Sequence, residues 1–304
     1  MNIGDPSLAF HARATGQMSG LRREAERLQG QLASGERLAR SSDDPVAAAR
    51  LRLLGRAERL ATVDAVNAQR AAADLSLAGD ALEGIGADLI RVRELAVYAG
   101  SGALSAEGRA VIGQEIAELR GAILARANAR DLSGNTLFGG QASGPAYALS
   151  PDGTATYAGT AQAGELPLGE GQSVGRGVTG PQFLALAMPE GSSDVLAFLS
   201  ELSGTLQGNG GDPAGAANAA IGILDSALEA VTRSQTIIGT RLQWIEAVQE
   251  RQVTSGEARA EASADAGGVD FAVTVARLQH TLTALEASQA GFARLSSLSL
   301  FDAI

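Results

Sequence analysis

SGERLARSSDDPVAAARL, residues 34–51, sets a glycine, two adjacent aspartates and a proline between two long stretches of helical pattern. Side-by-side carboxylates invite a catalytic reading; a proline directly after an acid invites a geometric one. Carboxylate catalysis needs both groups facing one reacting bond. Adjacent residues point in different directions, and no histidine, lysine or third acid falls at a useful spacing. The geometric reading has a mechanism at each position. Asp44 can accept from the orphan amides of a helix start, Pro45 at the first helical position gives up an N–H that would lack a partner anyway, and negative charge is favoured at that end. Gly35, Asp43, Asp44 and Pro45 are therefore expected to form a joint that ends one helix and restarts the chain at a fixed point.

Working outward, residues 7–40 carry Met18, Leu21, Ala25, Leu28 and Leu32 at alternating spacings of three and four, a heptad seam. From Pro45 to about residue 99, Leu75, Ala78, Leu82, Ile85, Leu89, Val92 and Ala96 repeat that spacing. A helix of this extent would be roughly 75 Å long. GSGALS, residues 100–105, closes it and supplies a cap. A third helix is predicted over residues 105–130, with Val111, Ile112, Glu115, Ile116, Leu119 and Ile123 marking one face.

The texture changes after DLSGNTLFGG. From residue 137 to about 188, short apolar segments alternate with Gly, Pro, Ser and Thr, and Ser150-Pro151-Asp152-Gly153 sits between YAL and TATY as a hairpin turn would. Arg176 is the only basic residue there, so the stretch reads as a small acidic β-rich insert with a solvated face. Helical pattern returns at residues 194–202, pauses at GNGGDP and runs from Pro213 to about residue 264, where ASADAGG loosens it. From residue 269 onward Phe271, Val275, Leu278, Leu282 and Leu285 again stand at heptad spacing, with Phe292 one heptad further.

Composition narrows the chemistry. The chain of 304 residues is 45% hydrophobic but only 4% aromatic, so its core must be built from Ala, Leu, Val and Ile, which favours helix-on-helix packing. Net charge is -10 and every basic residue is Arg, with no basic block to hold nucleic acid. The absence of Cys excludes disulfides, thiol catalysis and thiolate metal sites. No run of about 18 apolar residues offers a membrane span. Residues 1–20 contain His11 and Arg13 and do not read as a signal peptide, so export would use a route that leaves the sequence uncleaved.

The predicted fold is mainly α: an elongated helical rod with a terminal antiparallel coiled coil and a small β-rich insert. Residues 1–40 and 268–304 would form the coiled coil, residues 41–136 and 211–267 an inner helical bundle, and residues 137–210 an outer insert with a short helix. Such a rod buries little apolar surface per residue, and association along its sides would add the missing burial. Leu21, Leu28, Leu32, Leu278, Leu282 and Leu285 are the expected assembly seams.

With the chain laid out, SGERLARSSDDPVAAARL resembles the N-terminal signature of the bacterial flagellin superfamily, and most closely its hook-filament junction branch, the hook-associated proteins. Flagellins usually continue from the paired aspartates into an Ala-Ala-Gly segment; here Pro45-Val46-Ala47-Ala48-Ala49 follows, as in the junction branch. LFGG at residues 137–140, YAGT at 157–160 and VTGPQFL at 178–184 are similar to that branch's insert, IIGTRLQWIE at 237–246 to the superfamily's long C-proximal helix, and residues 270–304, closing on Ser-Leu-Phe-Asp, to the branch's terminal helix. The resemblance implies a structural, exported flagellar protein with no cofactor. It would self-associate in a ring or tube, meet a neighbouring hook-associated protein and flagellin, and travel through the flagellar type III apparatus with a chaperone on its C-terminal region. Two alternatives stand beside it: a short flagellin, and an exported adhesive or ligand-binding protein whose activity sits in residues 137–210.

Other signals have plainer explanations. Gly175-Arg176-Gly177-Val178-Thr179-Gly180 matches G-x-G-x-x-G, yet Pro181 and Gln182 follow where a helix should run, and no βαβ unit surrounds the match. His11 and His280, one in each terminal helix, lack metal-ligand spacing. Trp244 in a helical stretch reads as core or subunit contact.

Overall fold

The computed structural model describes residues 6–101, 103–188 and 191–301, with the side chains of 6–10, 187–193 and 295–301 set aside. The chain is mainly α with small antiparallel strand pairs. The helices are α1 (Pro6–Ser34), α2 (Pro45–Ala99), α3 (Ala106–Ala127), α4 (Gly180–Leu184), α5 (Val195–Leu206), α6 (Pro213–Gly267) and α7 (Phe271–Phe301). Three hairpins lie between α3 and α5: β1 (Tyr147–Leu149) with β2 (Ala155–Tyr157), β3 (Glu165–Gly169) with β4 (Gln172–Gly175), and β5 (Ala185–Met188) with β6 (Gly191–Asp194). The closing Ser-Leu-Phe-Asp, residues 299–302, and the first five residues lie wholly or partly outside what is described.

Two compact units divide the chain, residues 1–59 with 254–304 and residues 60–253. In the first, α1 and α7 pair antiparallel. His11 meets Phe292 edge to face at 5.1 Å near one end, and residues just past α1 bond to residues just before α7 at the other. Ala25, Leu28 and Gln31 of α1 and Thr274 and Thr281 of α7 are the buried residues of the seam. Leu21, Leu32, Leu278, Leu285 and Phe292 are half-buried. The α7 frame thus differs from the expected one: Thr274 and Thr281 turn inward, while Phe271, Val275 and Leu282 are 57%, 40% and 37% exposed.

The second unit holds the large apolar core. Leu75, Ala78, Leu82, Ile85, Leu89, Val92 and Ala96 of α2 are all buried, as the heptad spacing predicts. On α3, Ile112, Ile116 and Ile123 are buried, but Val111 is exposed and Glu115 forms an ion pair with Arg91 at 2.8 Å on the flank. Gly113 explains how closely α3 and α5 approach, since a Cβ there would lie 2.8 Å from the Ser203 carbonyl oxygen and 3.0 Å from Leu206 Cβ.

One face of the insert joins this same core. Phe138, Tyr147, Leu168, Val174, Val178, Phe183 and Leu184 are buried with the helix residues, while other positions of the stretch are exposed. Arg120 of α3 clamps it by donating to the carbonyls of Leu196 at 2.7 Å and Gly153 at 2.6 Å. The β1–β2 turn is the expected one: Gly153 has φ 81° and its N–H donates to Ser150 O at 2.9 Å.

Candidate functional site: the joint and the terminal seam

Helix α1 stops at Ser34 because Gly35 takes φ 72°, a left-handed conformation open to glycine. That is earlier than the residue-40 boundary expected from periodicity alone. The N–H of Gly35 still donates to Gln31 O at 2.9 Å, closing the last turn. The chain then runs beside the segment between α6 and α7. Val269 N donates to Gly35 O at 3.1 Å, Arg37 N donates to Gly267 O at 2.7 Å, and Glu36 and Gly268 form an antiparallel bridge. Gln31 Nε2 donates to Arg37 O at 2.6 Å, which explains a buried glutamine at the end of the seam.

The paired aspartates divide the remaining work. Asp43 Oδ2 accepts from the amides of Ala39 at 3.1 Å and Arg40 at 2.8 Å, folding residues 39–43 into a tight turn. Asp44 Oδ1 accepts from Ala47 N at 3.0 Å, its carbonyl accepts from Ala48 N at 2.9 Å, and Pro45 opens α2. Arg37 reaches across the joint, donating to Asp44 Oδ2 at 3.2 Å and to Ala266 O at 3.0 Å. The Ala47 amide first, and the Arg37 guanidinium second, hold the Asp44 carboxyl below its ordinary value. Three of the four carboxylate oxygens of the pair, Asp43 Oδ2 and both of Asp44, are therefore committed to backbone or to Arg37.

The opposite side repeats the device. Asp270 Oδ1 accepts from Val273 N at 3.0 Å and its carbonyl from Thr274 N at 2.9 Å, so α7 begins on an aspartate cap as α2 does. Gly267 and Gly268 make the approach possible: a Cβ on Gly267 would sit 2.8 Å from Leu51 Cδ1, and one on Gly268 2.5 Å from Ala264 O. Asp270, Gly267, Gly268, Arg37 and Gln31 were not singled out from sequence. The Gly-Gly-Val-Asp order before an apolar run carried the signal for the cap.

The remaining candidates fall elsewhere. The glycines of Gly175–Gly180 serve packing: Arg241 donates to Gly177 O at 2.6 Å, and a Cβ on Gly180 would meet the Tyr147 ring at 2.6 Å. Among the described residues no three of His, Asp or Glu cluster as metal ligands. Trp244 is 41% exposed, with the Arg251 guanidinium 5.3 Å from its ring centroid. No described helix is long and apolar enough to cross a membrane.

A capped joint leading into a long helix, with the far end of the chain folded back onto it, is the arrangement against which comparison with known proteins is informative. Residues 9–143 match the bacterial flagellin N-terminal helical region. Residues 9–143, which take in the joint, α2 and α3, thus carry the helical region found at the N-terminus of bacterial flagellins. The chain is 26% identical over 288 residues to flagellar hook-associated protein 3 of Escherichia coli (strain K12), covering 90% of each chain. Solved structures agree on the fold. A putative flagellar hook-associated protein from Vibrio parahaemolyticus superposes with a TM-score of 0.68 at 20% identity, over 74% of this chain and 100% of that one. A flagellar junction protein from Legionella pneumophila gives 0.58 at 16% identity, over 72% and 100%.

Proposed function

We propose that this chain is a structural subunit of the bacterial flagellum that joins hook to filament by helix packing and performs no chemistry. The observation that carries the reading is the doubly capped joint that folds α7 back along α1, in a chain similar over nine-tenths of its length to a hook-associated protein. The paired aspartates fit this role because each carboxylate holds backbone at the joint, Asp43 the amides of Ala39 and Arg40 and Asp44 that of Ala47. The exposed flank of Phe271, Val275 and Leu282 on α7 supplies apolar surface for a neighbouring subunit. Leu21, Leu28, Leu32, Leu278 and Leu285 act one step earlier, by holding the α1–α7 pair that presents the flank.

In this reading the terminal helices make the innermost layer of a tubular assembly, residues 41–136 and 211–267 surround it, and residues 137–210 face outward. The partners are further copies of the chain, a neighbouring hook-associated protein and flagellin. Export runs through the flagellar type III route, with a chaperone on the C-terminal region, and the working location is extracellular. Electron microscopy of a deletion strain tests the proposal: hooks are expected without filaments, with flagellin in the culture medium. Normal filaments would overturn it. Bare hooks with no flagellin in the medium would instead identify this chain as the filament subunit.

A further inference from the structure

A cavity of about 130 Å³ in the second unit contains groups that the joint and the seam do not use. Its walls come from Asp74 on α2, the turn of Asp131, Asn135 and Thr136 after α3, the loop around Gln141, and Arg176 just past β4. Most of these groups are already satisfied. Asp131 Oδ1 accepts from the amides of Ser133 and Asn135, both at 2.8 Å, and Oδ2 accepts from Asn135 Nδ2 at 3.1 Å. The Thr136 hydroxyl donates to Gly144 O at 3.1 Å, and Arg70 at the edge donates to the Ser133 hydroxyl at 3.0 Å.

Two groups are left over. Asp74 is only 9% exposed, and its carboxylate accepts no hydrogen bond from any described residue. Arg176 is exposed, and its guanidinium acts on Asp74 and Asp131 through space, with no hydrogen bond to either. Burial disfavours the charged form of Asp74 and the nearby Asp131 adds repulsion, while Arg176 and Arg70 attract it through space without a hydrogen bond. A carboxylate so placed, its oxygens open to the cavity, gains from a cationic donor that reaches it. The inner end of the cavity therefore favours a cationic donor, while the rim offers a planar cationic fork suited to a carboxylate. Asp74 and Asp131 balance Arg70 and Arg176, so a ligand with separated charges and no net charge fits the whole site. The volume is well below the roughly 300 Å³ at which sites for drug-sized ligands begin, which restricts the occupant to a few non-hydrogen atoms.

We propose that this cavity binds a small zwitterionic α-amino acid, its ammonium against Asp74 and its carboxylate against Arg176. A divalent cation fits poorly, because one of the two carboxylates is saturated by its own turn and a guanidinium stands at the rim. The site lies within one unit and does not rest on the junction reading.

Calorimetric and amide-NMR titration of the full chain with glycine, alanine, phenylalanine, methylammonium, acetate and calcium chloride tests the proposal. Glycine and alanine are expected to saturate in the millimolar range or below, shifting the amides of residues 139–143, while phenylalanine, acetate and calcium do not saturate. Asp74→Asn should weaken glycine at least tenfold. Arg176→Gln, at an exposed position that leaves folding intact, should weaken glycine by a similar factor and leave methylammonium unchanged. Failure of glycine to saturate, equal affinity of glycine and methylammonium for the unaltered chain, saturable calcium binding, or undiminished glycine binding by a folded Asp74→Asn chain would each overturn it.

Discussion

At the residue scale, Asp44 and Asp74 are the same side chain put to opposite use. Asp44 gains donors on folding, so its carboxyl is held below the ordinary value of 3.8. The stability it contributes is fully present above that value and is lost as pH falls through the lowered folded one. Asp44→Asn should therefore lower the unfolding midpoint of the first unit at neutral pH, and the difference should fade in acid; paired thermal melts down a pH series measure this. Asp74 is raised from 3.8, by burial first and by Asp131 second. Its folded state favours the protonated form, so stability declines as pH rises from the ordinary value through the raised one. Asp74→Asn is accordingly expected to raise the midpoint at pH 7 and to lose that advantage in acid, the reverse of the Asp44 result. Asp44 and Pro45 were legible in sequence because capping depends on residue type and local order. The surroundings of Asp74 were not, because they are set largely by Asp131 and Arg176, which are distant from it in sequence.

At the scale of elements, glycine decides where helices stop and how near they come. Gly35 has φ 72° and a Cβ there would meet only Phe271 Cζ, at an ordinary 4.0 Å, so Gly35→Ala should cost about 1–2 kcal/mol from backbone conformation. Gly113→Ala fails for a different reason, since the new methyl would press on the Ser203 carbonyl oxygen at 2.8 Å and force α3 away from α5. Overpacking of this kind costs about 1–3 kcal/mol. Chemical denaturation of the two variants, each compared with the unaltered chain, measures both. Periodicity located the buried face of α2 without error, because a long helix in a large core repeats one environment many times. It misplaced the inner frame of α7. There the Glu36–Gly268 bridge and the Asp270 cap fix the start of the helix, and threonines at 274 and 281 face α1 in place of Val275 and Leu282. Hydrophobic spacing alone registers a second apolar face as readily as the first.

At the scale of the whole molecule, the role proposed for that second face lets folding be tested apart from assembly. Leu282→Glu removes an exposed side chain and should change the melting temperature little. If the flank meets a neighbouring subunit, as proposed, the same change should reduce swimming in soft agar and the amount of the chain recovered with sheared flagella. Leu28→Ala, at a residue only 2% exposed, should instead destabilise by about 2–5 kcal/mol before any question of assembly arises. A difference between the two variants in melting, alongside a shared loss of motility, is the expected pattern.

The make-up of the α1–α7 seam has one more consequence. Among the described residues its buried set is Ala25, Leu28, Gln31, Thr274 and Thr281, with a single large aliphatic side chain, whereas the core of residues 60–253 is filled by many fully enclosed leucines, isoleucines and aromatics. Local opening is easiest where little apolar surface is exposed by it. Deuterium should therefore enter the amides of α1 and α7 long before those of residues 75–96. The chain would then release its terminal pair as one cooperative step while the larger core stays closed, giving a subunit that can be unzipped from its ends without being melted.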